Sequence, residues 1–245
     1  MSDMHYDDSP FPVRADLVDA HKRAWSHMAN AGSWLTGEQR LKITAEARHA
    51  RTCPTCAKVR EALSPLAVTE PHDAGTDLPE NWINMIHLIV ADPGRLTRGW
   101  YDKTRATGID EGQFVEIVSI VAHGTAIDTF AKGLGIPIRE LSPPGDSEPT
   151  GYRPAGARQH EAWVPNIAWD EFGPNEADFF VGPEANIRRA LTLVPNEARQ
   201  FFDLVTNQYY SREQMLDLTQ EYRAISHLQT ELLASRISAI NQCTY

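Results

Sequence analysis

Glu116-Ile-Val-Ser-Ile-Val-Ala-His-Gly-Thr-Ala-Ile-Asp-Thr-Phe130 reads as one long helix, and the class of the fold follows from it. Asp110 with Gln113 provides a cap-like start, so the helix is expected from Glu111 to Lys132. Gly133 and Gly135 end it and Pro137 blocks its resumption. Gly133-Leu-Gly135 is therefore a helix stop; no strand precedes it, and a dinucleotide loop would need one.

Working outward, the same periodicity recurs on both sides. Asp16 to Asn30 carries Leu17, Ala20, Ala24, Trp25 and Met28 at helical spacing. Thr36 and Gln39 form a capping-box pattern that opens a helix running from Gly37 toward Cys53. Pro54 suits a first turn, so Cys53 sits at a break and a new helix covers Ala57 to Leu63. A loop spans Ala67 to Leu78, then helices are expected over Pro79 to Val90 and from Pro93 to Thr107. Ser142 to Pro165 is rich in Pro and Gly and reads as a linker or surface excursion. Further helices follow at Pro183 to Leu193, Pro195 to Gln208, Ser211 to Tyr222 and Ala224 to the end. Few runs alternate with period two, so the class is all-α.

The chain has 245 residues, with 33 acidic against 23 basic side chains and a net charge of −10. That balance argues against nucleic acid as partner, since phosphate binding needs clustered Lys and Arg. Three cysteines exclude a disulfide-rich scaffold and fit a reducing compartment. The apolar stretch Trp82 to Ala91 is too short to span a bilayer, and Met1 to Asp8 lacks the features of a targeting segment. A cytoplasmic protein without a membrane partner is the expectation.

Glu116 to Phe130 has a weak echo in Glu231-Leu-Leu-Ala-Ser-Arg-Ile-Ser-Ala-Ile-Asn-Gln-Cys-Thr-Tyr245, displaced by 115 residues. Asp128 then falls opposite Cys243, and the pair of helices is either a duplicated unit or two unrelated amphipathic helices. Asn241 readily ends a helix in the left-handed conformation, which would place Cys243 at the start of a following helix. There the free N–H groups favour the reactive thiolate, and a carboxylate such as Glu231 is a candidate base.

Glu231 to Tyr245 resembles the signature of the AhpD-like alkylhydroperoxidases of the carboxymuconolactone decarboxylase superfamily. Their pattern is a glutamate, twelve positions to a cysteine, then x-x-Cys and a histidine four residues later. Glu231 and Cys243 match in type and spacing, and Arg236, Ile240 and Asn241 match the flanks. The resemblance implies an all-α fold of two related helical units and a thiol-dependent peroxidase or disulfide oxidoreductase without cofactor. By the same resemblance, Cys243 is the resolving thiol and Glu231 the proton-relay carboxylate. The family's peroxidatic residue falls one position after Tyr245. A decayed or truncated copy, a fragment of a longer gene and a UGA codon at that position all fit; because the related selenoproteins carry selenocysteine there, the reading frame is expected to continue past a UGA. The resemblance also implies a homo-oligomer acting on a small peroxide with a thiol reductant or redox protein. Its rivals are a cofactor-free lactone decarboxylase or isomerase, and a non-catalytic binding scaffold.

The organisation expected is an N-terminal segment over 1–66, a first unit over 67–141, a linker over 142–182 and a second unit over 183–245. Cys53-Pro-Thr-Cys56 is a second thiol centre. A redox pair, reduced structural thiols and half of a metal site all fit its spacing. His49 lies four residues upstream, His72 is a distant candidate and Glu46 gives the pair its own carboxylate. With no second C-x-x-C to close a site, the pair is read as a secondary redox centre and no metal is assigned. Glu116, His123 and Asp128, with Thr125 between the last two, fit either a vestigial non-redox site or a capped helix with satisfied polar side chains. His21, His27 and His87 have no partner at ligand spacing and are given no role. Trp163, Trp169, Phe172, Phe179 and Phe180 suggest core or a lid, and Asp170, Glu171, Glu176 and Asp178 suggest solvated carboxylates.

Overall fold

The computed structural model describes residues 4–178 and 186–243. Phe179, Phe180, Thr244, Tyr245 and the start expected at Pro183 lie outside them. The described residues form ten α-helices and no sheet; the only β feature among them is a bridge between Arg158 and Asn166. The all-α expectation holds.

Helix α1 (Ala15–Ala29), α2 (Gly37–Ala50) and α3 (Pro54–Glu61) come first. The α2 start is the expected capping box: Thr36 accepts from the Gln39 N–H and the Gln39 side chain accepts from the Thr36 N–H. After α4 (Glu80–Ala91), the single helix expected from Pro93 divides into a 3-10 turn at Pro93–Arg95 and α5 (Arg98–Ala106). Thr97 causes the division, because its hydroxyl accepts from the Trp100 N–H and starts α5 afresh. Helix α6 (Glu111–Gly133) has 23 residues and the Asp110–Gln113 capping box. Among the described residues it, and not Trp82 to Ala91, is the helix long and apolar enough to cross a membrane, but it is mostly buried inside the protein.

Next come α7 (Asn186–Arg189), α8 (Pro195–Gln208), α9 (Arg212–Leu216) and α10 (His227–Ile240). Helix α9 stops short of Tyr222 because Asp217 accepts from the Thr219 N–H and from the Thr219 and Tyr222 hydroxyls. Helix α10 starts at His227 rather than Ala224, because Ser226 caps it and forms another capping box with Gln229.

One hydrophobic core runs from Met4 to Leu204 and crosses the boundaries expected at 66/67 and 141/142. Helix α2 packs on α4 and α6, and α8 packs on α1 and α6, so the first and last segments share one interior. The 142–178 stretch is a strap rather than a free linker. The Gly145 N–H donates to Ala29 O at 2.8 Å, Thr150 N–H to Gly32 O at 3.2 Å and Gly151 N–H to Ser33 O at 2.7 Å. The strap's own Val164 and Ile167 are buried. Glu176, expected to be solvated, is buried and accepts from the Tyr152 hydroxyl at 2.5 Å.

A charged knot sits where α1, α2, α6 and α8 meet. Arg40, fully buried on α2, donates from Nη1 to Glu116 of α6 and to Glu197 of α8, the latter at 2.7 Å. Its Nη2 donates to the carbonyl of His27 on α1 at 3.2 Å, and His27 Nε2 lies 2.9 Å from Glu197 Oε1. Glu116 Oε2 also accepts from the Trp34 N–H at 2.8 Å. Gly32 makes room for this: a Cβ there would fall 1.4 Å from Glu116 Oε1. Burial pushes the Glu116 carboxyl up to about 7, with Arg40 offsetting only part of the effect. Burial acts on Glu197 in the same sense, but Arg40 and His27 outweigh it and hold that carboxyl well below the usual range.

Replacing Arg40 by Met strands two buried carboxylates and is expected to cost about 3–5 kcal/mol in urea unfolding. Glu116 gives a pH signature. An acid whose folded pKa is raised contributes its stability in full below its unfolded value of 4.5 and loses it as pH rises through about 7. Over that window the loss is on the order of 3 kcal/mol. The melting temperature of E116Q relative to wild type should therefore rise from pH 5 to pH 8; a flat difference would contradict it.

Candidate functional site

The Cys53–Cys56 centre is built from four pieces of chain. Cys53 caps α3 with Pro54 at its first position, as expected, and Cys56 lies one turn in. Both thiols are buried, at 1% and 0% exposure, and both are free. His87 of α4 places Nδ1 3.2 Å from Cys56 Sγ. His72, on the loop between α3 and α4, places Nδ1 3.5 Å from Cys56 Sγ and 3.8 Å from Cys53 Sγ.

That loop is clipped on either side of His72. Thr55 Oγ1 donates to Pro71 O at 3.0 Å, and Glu46 of α2 accepts from the Gly75 N–H at 3.1 Å and the Thr76 hydroxyl at 2.5 Å. Glu46 also lies 2.7 Å from His87 Nε2. Burial raises the Glu46 carboxyl, but the hydrogen bonds from Thr76, His87 and Gly75 outweigh it and hold it below the ordinary range. Burial pushes the Cys56 thiol up to about 12 and His72 down to about 4, and it lowers His87 as well.

Two sequence readings are corrected. His87, assigned no role, is in the centre of the group. His49, the upstream candidate, turns away to Asp73 at 3.1 Å. Pattern reading missed His87 because it is 31 residues from Cys56 and inside an apolar helix; no spacing rule links the two.

Cys243 sits elsewhere. Its thiol is exposed and lines a cavity of about 920 Å³. Val90, Leu96, Val118, Val121 and Trp163 form apolar walls, with Arg51 and Arg60 also in the lining. The left-handed residue before it is Gln242 (φ 53°), not Asn241, whose φ is −84°. Gly94 admits this turn, since a Cβ there would fall 2.5 Å from Asn241 O. Glu231 lies on the second turn of α10, roughly 13 Å along the axis from Ile240 at helical rise. Its carboxylate accepts from the Tyr209 hydroxyl and lies 3.6 Å from His227 Nε2. The structure does not bring Glu231 and Cys243 together.

Nor does it group Glu116, His123 and Asp128. Glu116 is in the Arg40 knot. His123 is fully buried beside it, with Nδ1 2.8 Å from Ser119 O and its ring against His27 and Phe201. Burial lowers its imidazole to about 4. Asp128 lies farther along α6 and holds Arg48 through two hydrogen bonds of 2.9 and 2.8 Å. Thr125 lines the Cys243 cavity.

The expected match of Asp128 to Cys243 fails because α6 runs unbroken through Asp128, whereas α10 has ended before Cys243. A different match fits the backbone. Thr36 and Gln39 cap a 14-residue helix whose last residue lies three before Cys53. Ser226 and Gln229 cap a 14-residue helix whose last residue lies three before Cys243. In cap, length and cysteine position α2 thus matches α10, and the two capping boxes are a signal of this match that the sequence carries.

Compared with known proteins, the chain matches no family model, no curated protein and no solved structure.

Burial separates the thiols chemically. An aromatic disulfide reagent should titrate Cys243 rapidly in the native protein, and Cys53 and Cys56 only after unfolding. Rapid native labelling of all three would contradict the burial.

Proposed function

We propose that the protein is a thiol-dependent oxidoreductase acting on organic hydroperoxides or disulfides, with Cys243 as its reacting thiol. The observation that carries this reading is the exposed Cys243 thiol on the wall of an apolar cavity of about 920 Å³. Apolar walls with two arginines in the lining suit an organic hydroperoxide that carries an acidic group. The sequence resemblance supports the same chemistry and gives Cys243 the resolving part. By that resemblance, a peroxidatic thiol or selenol attacks the peroxide O–O bond, releasing the alcohol and becoming the sulfenic or selenenic acid. Cys243 then displaces water from it, and an external dithiol reduces the new bond. Glu231 is not in reach of Cys243 within one chain, so the proton passes through solvent or through a second copy.

Self-association belongs to this reading. Helix α10 leaves Leu228, Leu232, Leu233, Ile237 and Ile240 exposed, a stripe that a second copy of α10 would cover. A cytoplasmic setting, which keeps such thiols reduced, is part of the proposal.

The full-length protein should consume an alkyl hydroperoxide in the presence of a dithiol. C243S should lower the rate at least tenfold while far-UV circular dichroism is unchanged. Equal rates for wild type and C243S would overturn the assignment.

A further inference from the structure

We propose that Cys53, Cys56, His72 and His87 form a closed, four-coordinate zinc site that staples the loop between α3 and α4 to the helical core. The proposal uses none of the residues invoked for Cys243, so each can fail alone.

Four donor atoms, two Sγ and two imidazole nitrogens, lie within 4.8 Å of one another. In a tetrahedral site, Zn–S near 2.3 Å and Zn–N near 2.0–2.1 Å separate neighbouring donors by roughly 3.3–3.8 Å. The three S···N contacts are 3.2, 3.5 and 3.8 Å, so an ion fits between the donors with small adjustments. The donor set is two thiolates and two imidazoles, the composition of structural zinc sites.

The surroundings are also those of a metal site. His87 directs Nδ1 to the thiols and Nε2 to Glu46 at 2.7 Å, a carboxylate–histidine pair that fixes the ring behind the metal. Glu46 is in turn held by the loop that carries His72, through Gly75 and Thr76. One carboxylate thus orients two of the ligands, one directly and one through its loop.

Charge favours the same conclusion. Binding Zn²⁺ displaces one proton from each thiol to solvent, and the ion with its two thiolates and two neutral imidazoles then carries no net charge. A neutral unit suits a place where both sulfurs are fully buried. A disulfide between Cys53 and Cys56 would leave His87, whose Nε2–H faces Glu46, with Nδ1 directed at sulfur and no proton to accept.

The full chain, expressed in zinc-supplemented medium and purified without chelator, should carry about one zinc per chain by elemental analysis. Exchange for Co²⁺ should give the intense visible bands of a tetrahedral ion and a thiolate-to-metal charge-transfer band. H72A should lose those bands with its helical content retained. E46Q, which leaves all four ligands in place, should weaken zinc binding about 10- to 100-fold in a chelator competition. Should H72A lose helicity, E46Q alone decides. Three results would overturn the site: zinc well below one per chain with no tetrahedral cobalt spectrum, a spectrum indifferent to H72A and an affinity indifferent to E46Q, or isolation of the protein with Cys53 and Cys56 joined as a disulfide.

Discussion

Arg40 cannot leave the place it occupies without stranding charge in a dry interior. Its side chain is wholly inaccessible, as are those of Glu116 and Glu197. A buried ion group of this kind contributes less to net stability than an apolar replacement could, because desolvation takes back most of the attraction. Its value lies in excluding alternatives. Any slip of α2 against α6 or α8 by one turn moves the guanidinium about 5.4 Å from both carboxylates. Among the many ways that amphipathic helices can pack, only one keeps the three charges together. The loop before α2 obeys the same constraint, since Gly32 and the Trp34 N–H approach the Glu116 carboxylate as no bulkier turn could.

Local structure was legible in the sequence wherever a short-range device fixes it. Thr36 with Gln39, Asp110 with Gln113 and Pro54 after Cys53 each act within a few residues, and each helix begins where those residues require. Thr97 and Asp217 show the limit. Their side chains capture nearby N–H groups and override a periodicity that continues past them. The thiol centre was half legible: the spacing of Cys53 and Cys56 is visible, but the two imidazoles that meet them come from 16 and 31 residues beyond Cys56. The partners of Arg40 are 76 and 157 residues away, and nothing in the residues around it foretells them.

The match of α2 with α10 explains why one chain holds thiols of such different character. The same local design, a capped 14-residue helix followed by a cysteine, occurs twice. At α2 it is enclosed by α4 and α6, and the cysteine after it is sealed among histidines. At α10 it lies on the outside, with its leucines exposed and its cysteine beside a cavity. Tertiary surroundings, not the helix and its cap, decide which thiol meets solvent.

The strap over residues 142–178 holds the turn between α1 and α2 almost entirely through main-chain atoms: three N–H groups donate to the carbonyls of Ala29, Gly32 and Ser33. Only Ser147, whose hydroxyl accepts from the Ala31 N–H, adds a side chain to this clasp. A clasp made of backbone depends on strap side chains chiefly at its glycines: a Cβ at Gly145 would fall 2.2 Å from Asn30 Oδ1, and Gly151 is held at φ 65°. Insertions or deletions break it, because each one shifts every downstream donor out of register. The segment that looked most like a spacer by composition therefore has its length held constant, and its residue identity is free only away from those glycines and from buried Val164, Ile167 and Glu176.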